Sequence, residues 1–216
     1  MQRGSKLKSG DIVQLKSGGP EMTISDLLDN TMVVCQWFTS RLREHTFTSD
    51  TLDLSAAKDP AQKTKDSRIK TGNMVKLRSG GPVMTVGIIL DSKALCQWFD
   101  GRKGLHEGAF THDALDLQHE RVQDQSLDEM SLSVDDVVQH KTGGPKMTVR
   151  LIDGFKAVCQ WFYTDKQMPY EGTFLRDTLL GPSILQKIEQ EREADLKEWI
   201  RNQFDPEIYD KDNPIH

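Results

Sequence analysis

Three sets of side chains recur in this sequence at spacings that could do chemistry. The first is a carboxylate pair: Glu44 with Asp50, Glu107 with Asp113 and Glu171 with Asp177. A pair of that kind can divide general-acid and general-base work. The second is a cysteine, Cys35, Cys96 and Cys159, followed each time by Gln-Trp-Phe. A thiol becomes a nucleophile or a metal ligand when it ionises. The third is a Gly-Gly-Pro stretch at Gly18-Gly19-Pro20, Gly80-Gly81-Pro82 and Gly143-Gly144-Pro145. Glycine-rich loops can bring backbone N–H groups against a phosphate.

None of the three sets completes a reactive constellation. The carboxylates have no repeated His, Lys, Ser or metal-ligand cluster beside them, so they read as architecture, with the aspartate expected to cap a short turn. One cysteine per repeat, and an odd total, is no disulfide framework. Buried, reduced thiols are expected, with no metal and no cofactor. A phosphate-binding loop needs a following helix and a Gly-Lys-Ser/Thr ending. Here Met22-Thr23-Ile24, Met84-Thr85-Val86 and Met147-Thr148-Val149 follow. These are strand formers, so the loop reads as a hairpin turn with glycines at positive φ. No enzyme is expected.

The same spacing sets the organisation. Pro20, Pro82 and Pro145 lie 62 and 63 residues apart, longer than the roughly 20–50 residue period of solenoids and propellers. The reading is therefore three small tandem domains: repeat 1 at 7–54, repeat 2 at 69–117 and repeat 3 at 132–182. A polar linker at 55–68 and an acidic, glutamine-rich linker at 118–131 join them. Blocks of this size are marginal on their own core, so mutual packing is expected to help.

Within a repeat, Val13 and Leu15 share one parity and Gln14 and Lys16 the other, which predicts a strand with one wet face. The strand Met32–Phe38 is different. Val33, Cys35 and Trp37 share one face, while Val34, Gln36 and Phe38 share the other. A strand apolar on both faces is not a half-buried edge. One face fills a core; the second is covered by the same unit, packed on a neighbour, or open as a binding groove. Its residues, Gln36, Phe38, Gln97, Phe99, Gln160 and Phe162, are candidate partner contacts. The Glu-x-x-Phe-x-x-Asp-x-Leu segment is expected to form the last strand and a turn.

Beyond Pro182 the period becomes helical, with Ser183 as the expected N-cap and a helix over 183–204. Leu196, Trp199 and Ile200 form an apolar cluster on an otherwise charged segment and are further candidate partner contacts; 205–216 is a tail.

Charge narrows the function classes. The net charge is −5, and only segment 62–118 is basic, with nine basic and six acidic residues. A basic footprint for a duplex is absent at chain level. If nucleic acid binds, Lys76, Arg78, Arg102 and Lys103 of the middle repeat are the residues expected to meet it. No long apolar run or signal peptide marks the chain, so no membrane and a cytoplasmic location are expected.

The string Asp11-x-Val13…Lys16-Ser17-Gly18-Gly19-Pro20-x-Met22-Thr23…Cys35-x-Trp37-Phe38 resembles the YodC-like family of small bacterial proteins of unknown function. The resemblance covers all three repeats. It implies a small SH3-like β-barrel and a bacterial or phage origin, and no activity, cofactor or catalytic residue. The triplication and the helix depart from it. The Asp-x-Val…Ser-Gly opening is also similar to the KOW element of ribosomal and transcription-elongation proteins. The fold expected is all-β, three tandem SH3-like barrels with a C-terminal helix. The function expected is a non-enzymatic protein-binding array, an adaptor or an inhibitor of a bacterial or phage assembly, with nucleic-acid association as the alternative.

Overall fold

The structure, a computed structural model, describes residues 7–29, 31–55, 69–99, 104–119, 132–162 and 168–204. Each repeat is a five-stranded antiparallel sheet. Repeat 1 contains β1 (Ile12–Leu15), β2 (Met22–Leu27), β3 (Met32–Phe38), β4 (Leu42–Thr48) and β5 (Leu52–Leu54). Repeat 2 contains β6 (Met74–Leu77), β7 (Met84–Leu90), β8 (Lys93–Phe99), β9 (Leu105–Thr111) and β10 (Leu115–His119). Repeat 3 contains β11 (Val137–His140), β12 (Lys146–Asp153), β13 (Lys156–Trp161), β14 (Tyr170–Leu175) and β15 (Leu179–Leu180), followed by helix α1 (Pro182–Phe204). The order is β4-β3-β2-β1-β5, and the same in the other two sheets. The fourth and fifth strands are edges that do not pair with each other, so each sheet is open.

The parity of the sequence accounts for the cores. Val13, Met22, Ile24, Val33, Cys35 and Leu52 are buried together in repeat 1. Their counterparts Val75, Met84, Val86, Ala94, Cys96 and Leu115 are buried in repeat 2. Val138, Met147, Val149, Ala157, Cys159 and Leu179 are buried in repeat 3. The Gly-Gly-Pro loops are turns, as expected, with φ near +93° and +119° at Gly18 and Gly19 and similar values in the other copies. Such angles strain any residue carrying a Cβ. The second strand carries a bulge at one place in every repeat, between Ile24 and Asp26, Val86 and Ile88, and Val149 and Leu151.

Four boundaries differ from expectation. The Glu-to-Leu segment holds two strands, not one, because a 3-10 turn (Ser49–Thr51, His112–Ala114 or Arg176–Thr178) breaks the chain before Leu52, Leu115 or Leu179. Asp50, Asp113 and Asp177 sit inside that turn instead of capping it. Gln118 and His119 continue β10, paired with β6, so the second linker starts later; residues 56–68, 120–131 and 205–216 lie outside the described residues. Finally, α1 starts at Pro182, with the Leu185 N–H bonded to the Gly181 carbonyl. Proline suits the first helical position because the N–H it lacks has no helical partner there; Ser183 is already inside the helix.

Burial pushes the Cys35, Cys96 and Cys159 thiols up to about 12, far from ionising. All three side chains are fully buried. Native protein is expected to react slowly with a thiol reagent at neutral pH, and denatured protein rapidly. Fast native labelling of all three thiols, followed by mass spectrometry, is the result that contradicts this core.

Candidate functional site

The second face of the third strand is where the repeats meet. Phe38 ends β3, and its ring leaves its own sheet to enter repeat 2. There it packs edge-on against Trp98, with centroids 5.5 Å apart, and lies over Phe110 at 6.5 Å. The floor of the socket is the Gly-Gly-Pro loop. A Cβ on Gly81 would lie 2.3 Å from the Phe38 ring, so a glycine is needed for the approach as well as for φ. Leu42, which opens β4, packs on the same core against Gly108.

The second junction repeats the first. Phe99 ends β8 and is a buried member of the repeat 3 core. Its ring meets His140 at 5.6 Å, Phe174 at 6.0 Å and Trp161 at 6.3 Å. A Cβ on Gly144 would lie 2.9 Å from it, and Leu105 packs beside it as Leu42 does in the first junction.

Polar groups set the register of both contacts. At the first junction the Arg78 guanidinium donates to the Gly10 carbonyl at 2.6 Å, and the Ser79 N–H donates to Thr23 Oγ1 at 2.8 Å. At the second, Lys141 Nζ donates to the Gly72 carbonyl at 3.3 Å, and the Phe99 N–H donates to Thr142 Oγ1 at 3.1 Å. The glutamine of each strand also reaches across. Gln36 Nε2 donates to the Ala109 carbonyl at 3.2 Å, and Gln97 Oε1 accepts from the Leu175 N–H at 3.1 Å and from the Thr178 hydroxyl at 3.3 Å. Each glutamine is also tethered to the glutamate of the next strand, Gln36 to Glu44 at 2.7 Å, Gln97 to Glu107 at 3.4 Å and Gln160 to Glu171 at 2.8 Å. Each repeated glutamate thus accepts from the amide of the neighbouring strand's glutamine.

The expected partner contacts therefore divide. Gln36, Phe38, Gln97 and Phe99 are consumed between repeats. Gln160 is exposed, and Phe162 is 63% exposed. Gln160 and Arg150 together hold the Glu171 carboxyl below the usual carboxylate range. Leu196 and Trp199 lie on α1 and are also exposed, while the Ile200 side chain lies outside the described residues. Of the expected nucleic-acid contacts, Lys76 is half-buried in β6, Arg78 is committed to the first junction and to Asp116 at 3.5 Å, and Arg102 and Lys103 lie outside the described residues.

Sequence reasoning missed the receiving side: Gly81, Gly144, Thr142, Leu175 and the bulge residue Gly87. A Cβ on Gly87 would lie 1.9 Å from a methyl of Leu175. The signal was present at positions 25, 87 and 150, which read Ser, Gly and Arg: small in the two repeats that pack on a following one, large in the third. Among the described residues no cluster of His, Cys, Asp or Glu is placed to hold a metal, and no helix is long and apolar enough to cross a membrane.

A family described as Uncharacterized small protein (DUF2158) matches the chain three times, at residues 8–52, 70–115 and 133–179, and the chain belongs to that family. The matches coincide with the three repeats carrying the YodC-like string. No curated protein matches the chain.

The second junction contains a buried histidine. His140 takes the place of Leu15 and Leu77, fully buried against Phe99. Its Nδ1 accepts from the Thr142 N–H at 3.2 Å, and its buried Nε2 has no partner among the described residues. Desolvation, with Lys141 nearby, lowers its pKa from an ordinary 6.5 to about 3. The unfolded chain therefore binds a proton that the folded chain refuses, and stability is lost as pH falls from 6.5 toward 3. One such proton is worth at most about 1.4 kcal/mol per pH unit. His140→Leu is expected to remove this slope, so that urea melts of the variant and the wild type diverge on acidification. Parallel pH profiles would contradict the burial of a neutral imidazole at this junction.

Proposed function

We propose that the chain is a non-enzymatic protein-binding array of three SH3-like barrels, an adaptor or an inhibitor of a bacterial or phage assembly, whose partner docks on the C-terminal helix. The SH3-like assignment is supported by the strand order shared by the three sheets and by the 3-10 turn before each fifth strand. The observation that carries the functional reading is on α1. Its first turns are anchored, with Leu185 buried and Glu189 paired with Lys146 of β12. Farther along, Leu196 and Trp199 are 55% and 57% exposed. Three residues apart, they lie on one side of the helix. A tryptophan and a leucine presented to solvent on a charged helix form an exposed apolar patch, and tryptophan is among the residues that most often anchor a protein interface. The nucleic-acid alternative gains no support of this kind, since Arg78 is already engaged within the array.

The test compares the full chain with Trp199→Ala and with a chain ending at Ala194, which keeps the anchored turns. Once a partner has been captured with the full chain and purified, both variants are expected to lose affinity with an unchanged melting temperature. A central tryptophan costs at least about 2 kcal/mol, or roughly thirtyfold in Kd. Undiminished affinity, or a loss matched by a loss of stability, contradicts the reading.

A further inference from the structure

Among the described residues, the two junctions leave one unfilled socket and one unplaced plug at opposite ends of the array. At the first repeat, Leu15, Trp37 and Phe47 are only partly buried. Their counterparts in repeat 2, Leu77, Trp98 and Phe110, are closed over by Phe38. Gly19 corresponds to Gly81 and Gly144, yet a Cβ built on it meets no described atom within 4 Å. At the third repeat, Phe162 stands where Phe38 and Phe99 stand and is exposed, with Gln160 beside it.

We infer that Phe162 of one chain enters the Gly19 socket of a second copy, so that the protein associates head to tail through the same contact that joins its repeats. The polar partners of that contact are also in place. Arg78 and Lys141 donate to the carbonyls of Gly10 and Gly72, each of which has a positive φ and an N–H bonded to the second strand. The third-repeat equivalent is Asp135. It keeps the left-handed conformation, with φ +72°, and its N–H donates to the Val149 carbonyl at 2.8 Å. Its carbonyl is thus presented as the other two are, and its carboxylate adds a charge opposite to Lys16, the counterpart of Arg78 and Lys141, whose Nζ in the single chain donates to the Asp50 carbonyl and must turn from it to make the contact. Arg150 occupies the bulge position that Gly87 keeps clear, but it is drawn along the sheet by Glu171, at 2.9 Å and 3.3 Å. A contact between unlike surfaces repeats from copy to copy, forming rings or open chains.

Sedimentation velocity and light scattering across a wide concentration range test this. The wild type is expected to grow from one chain to multiples of 24.5 kDa. Phe162→Ser, at an exposed site, should remain a monomer with an unchanged melt. Gly19→Ala, which blocks the socket, should also remain a monomer. Mixed together, these two variants retain one good plug and one good socket and should form dimers and nothing longer. A wild type that stays monomeric at all concentrations, an association that survives Phe162→Ser, or a mixture that stays monomeric overturns the inference. Trp199→Ala should leave association intact, so this inference and the helix-docking reading fail separately.

Discussion

A phenylalanine that belongs to one repeat in sequence and to the next in its packing is the contact on which the array depends. Phe99 is buried in the third core, and Phe38 fills the second. Burying such a ring contributes about 1.5–3 kcal/mol, and truncating it typically costs about 3–5 kcal/mol once the cavity is counted. Sheets of this size have little core to spare. Borrowing a neighbour's aromatic is thus a direct route to stability, and it couples the repeats. The approach is possible because the second glycine of the receiving loop has no Cβ. The loop chemistry and the junction chemistry are one constraint.

Much of the sheet was legible from parity alone. Val13, Met22, Ile24, Val33 and Cys35 alternate as strands with one buried face must, and all are buried. The Gly-Gly-Pro turns were legible because positive φ in a hairpin asks for glycine. The short turn at Asp50 was legible, but the fifth strand beyond it was not, because Leu52-Asp53-Leu54 is too short to show a period. The helix start was misplaced by a single residue, where proline competes with serine as a start signal.

The site was only half legible. A strand such as Val33–Phe38, apolar on both faces, announces that its second face is covered without saying by what. Periodicity cannot distinguish a lid from a neighbour. What distinguishes them is the partner's shape: the empty Cβ positions of Gly81, Gly87 and Gly144, and the Thr23 and Thr142 hydroxyls that accept a backbone N–H from the neighbouring repeat. His140 was invisible for the same reason, since a histidine in a leucine position shows its cost only once Phe99 is seen to seal it.

The most direct test of cores shared between neighbours is amide hydrogen exchange in Phe99→Ala, read peptide by peptide. If the ring is a core residue of repeat 3, exchange should accelerate in β13 and β14 of that repeat as well as in β8, which bears the substitution, while β3 of repeat 1 stays protected. Acceleration confined to repeat 2, with β13 and β14 unchanged, would contradict the account.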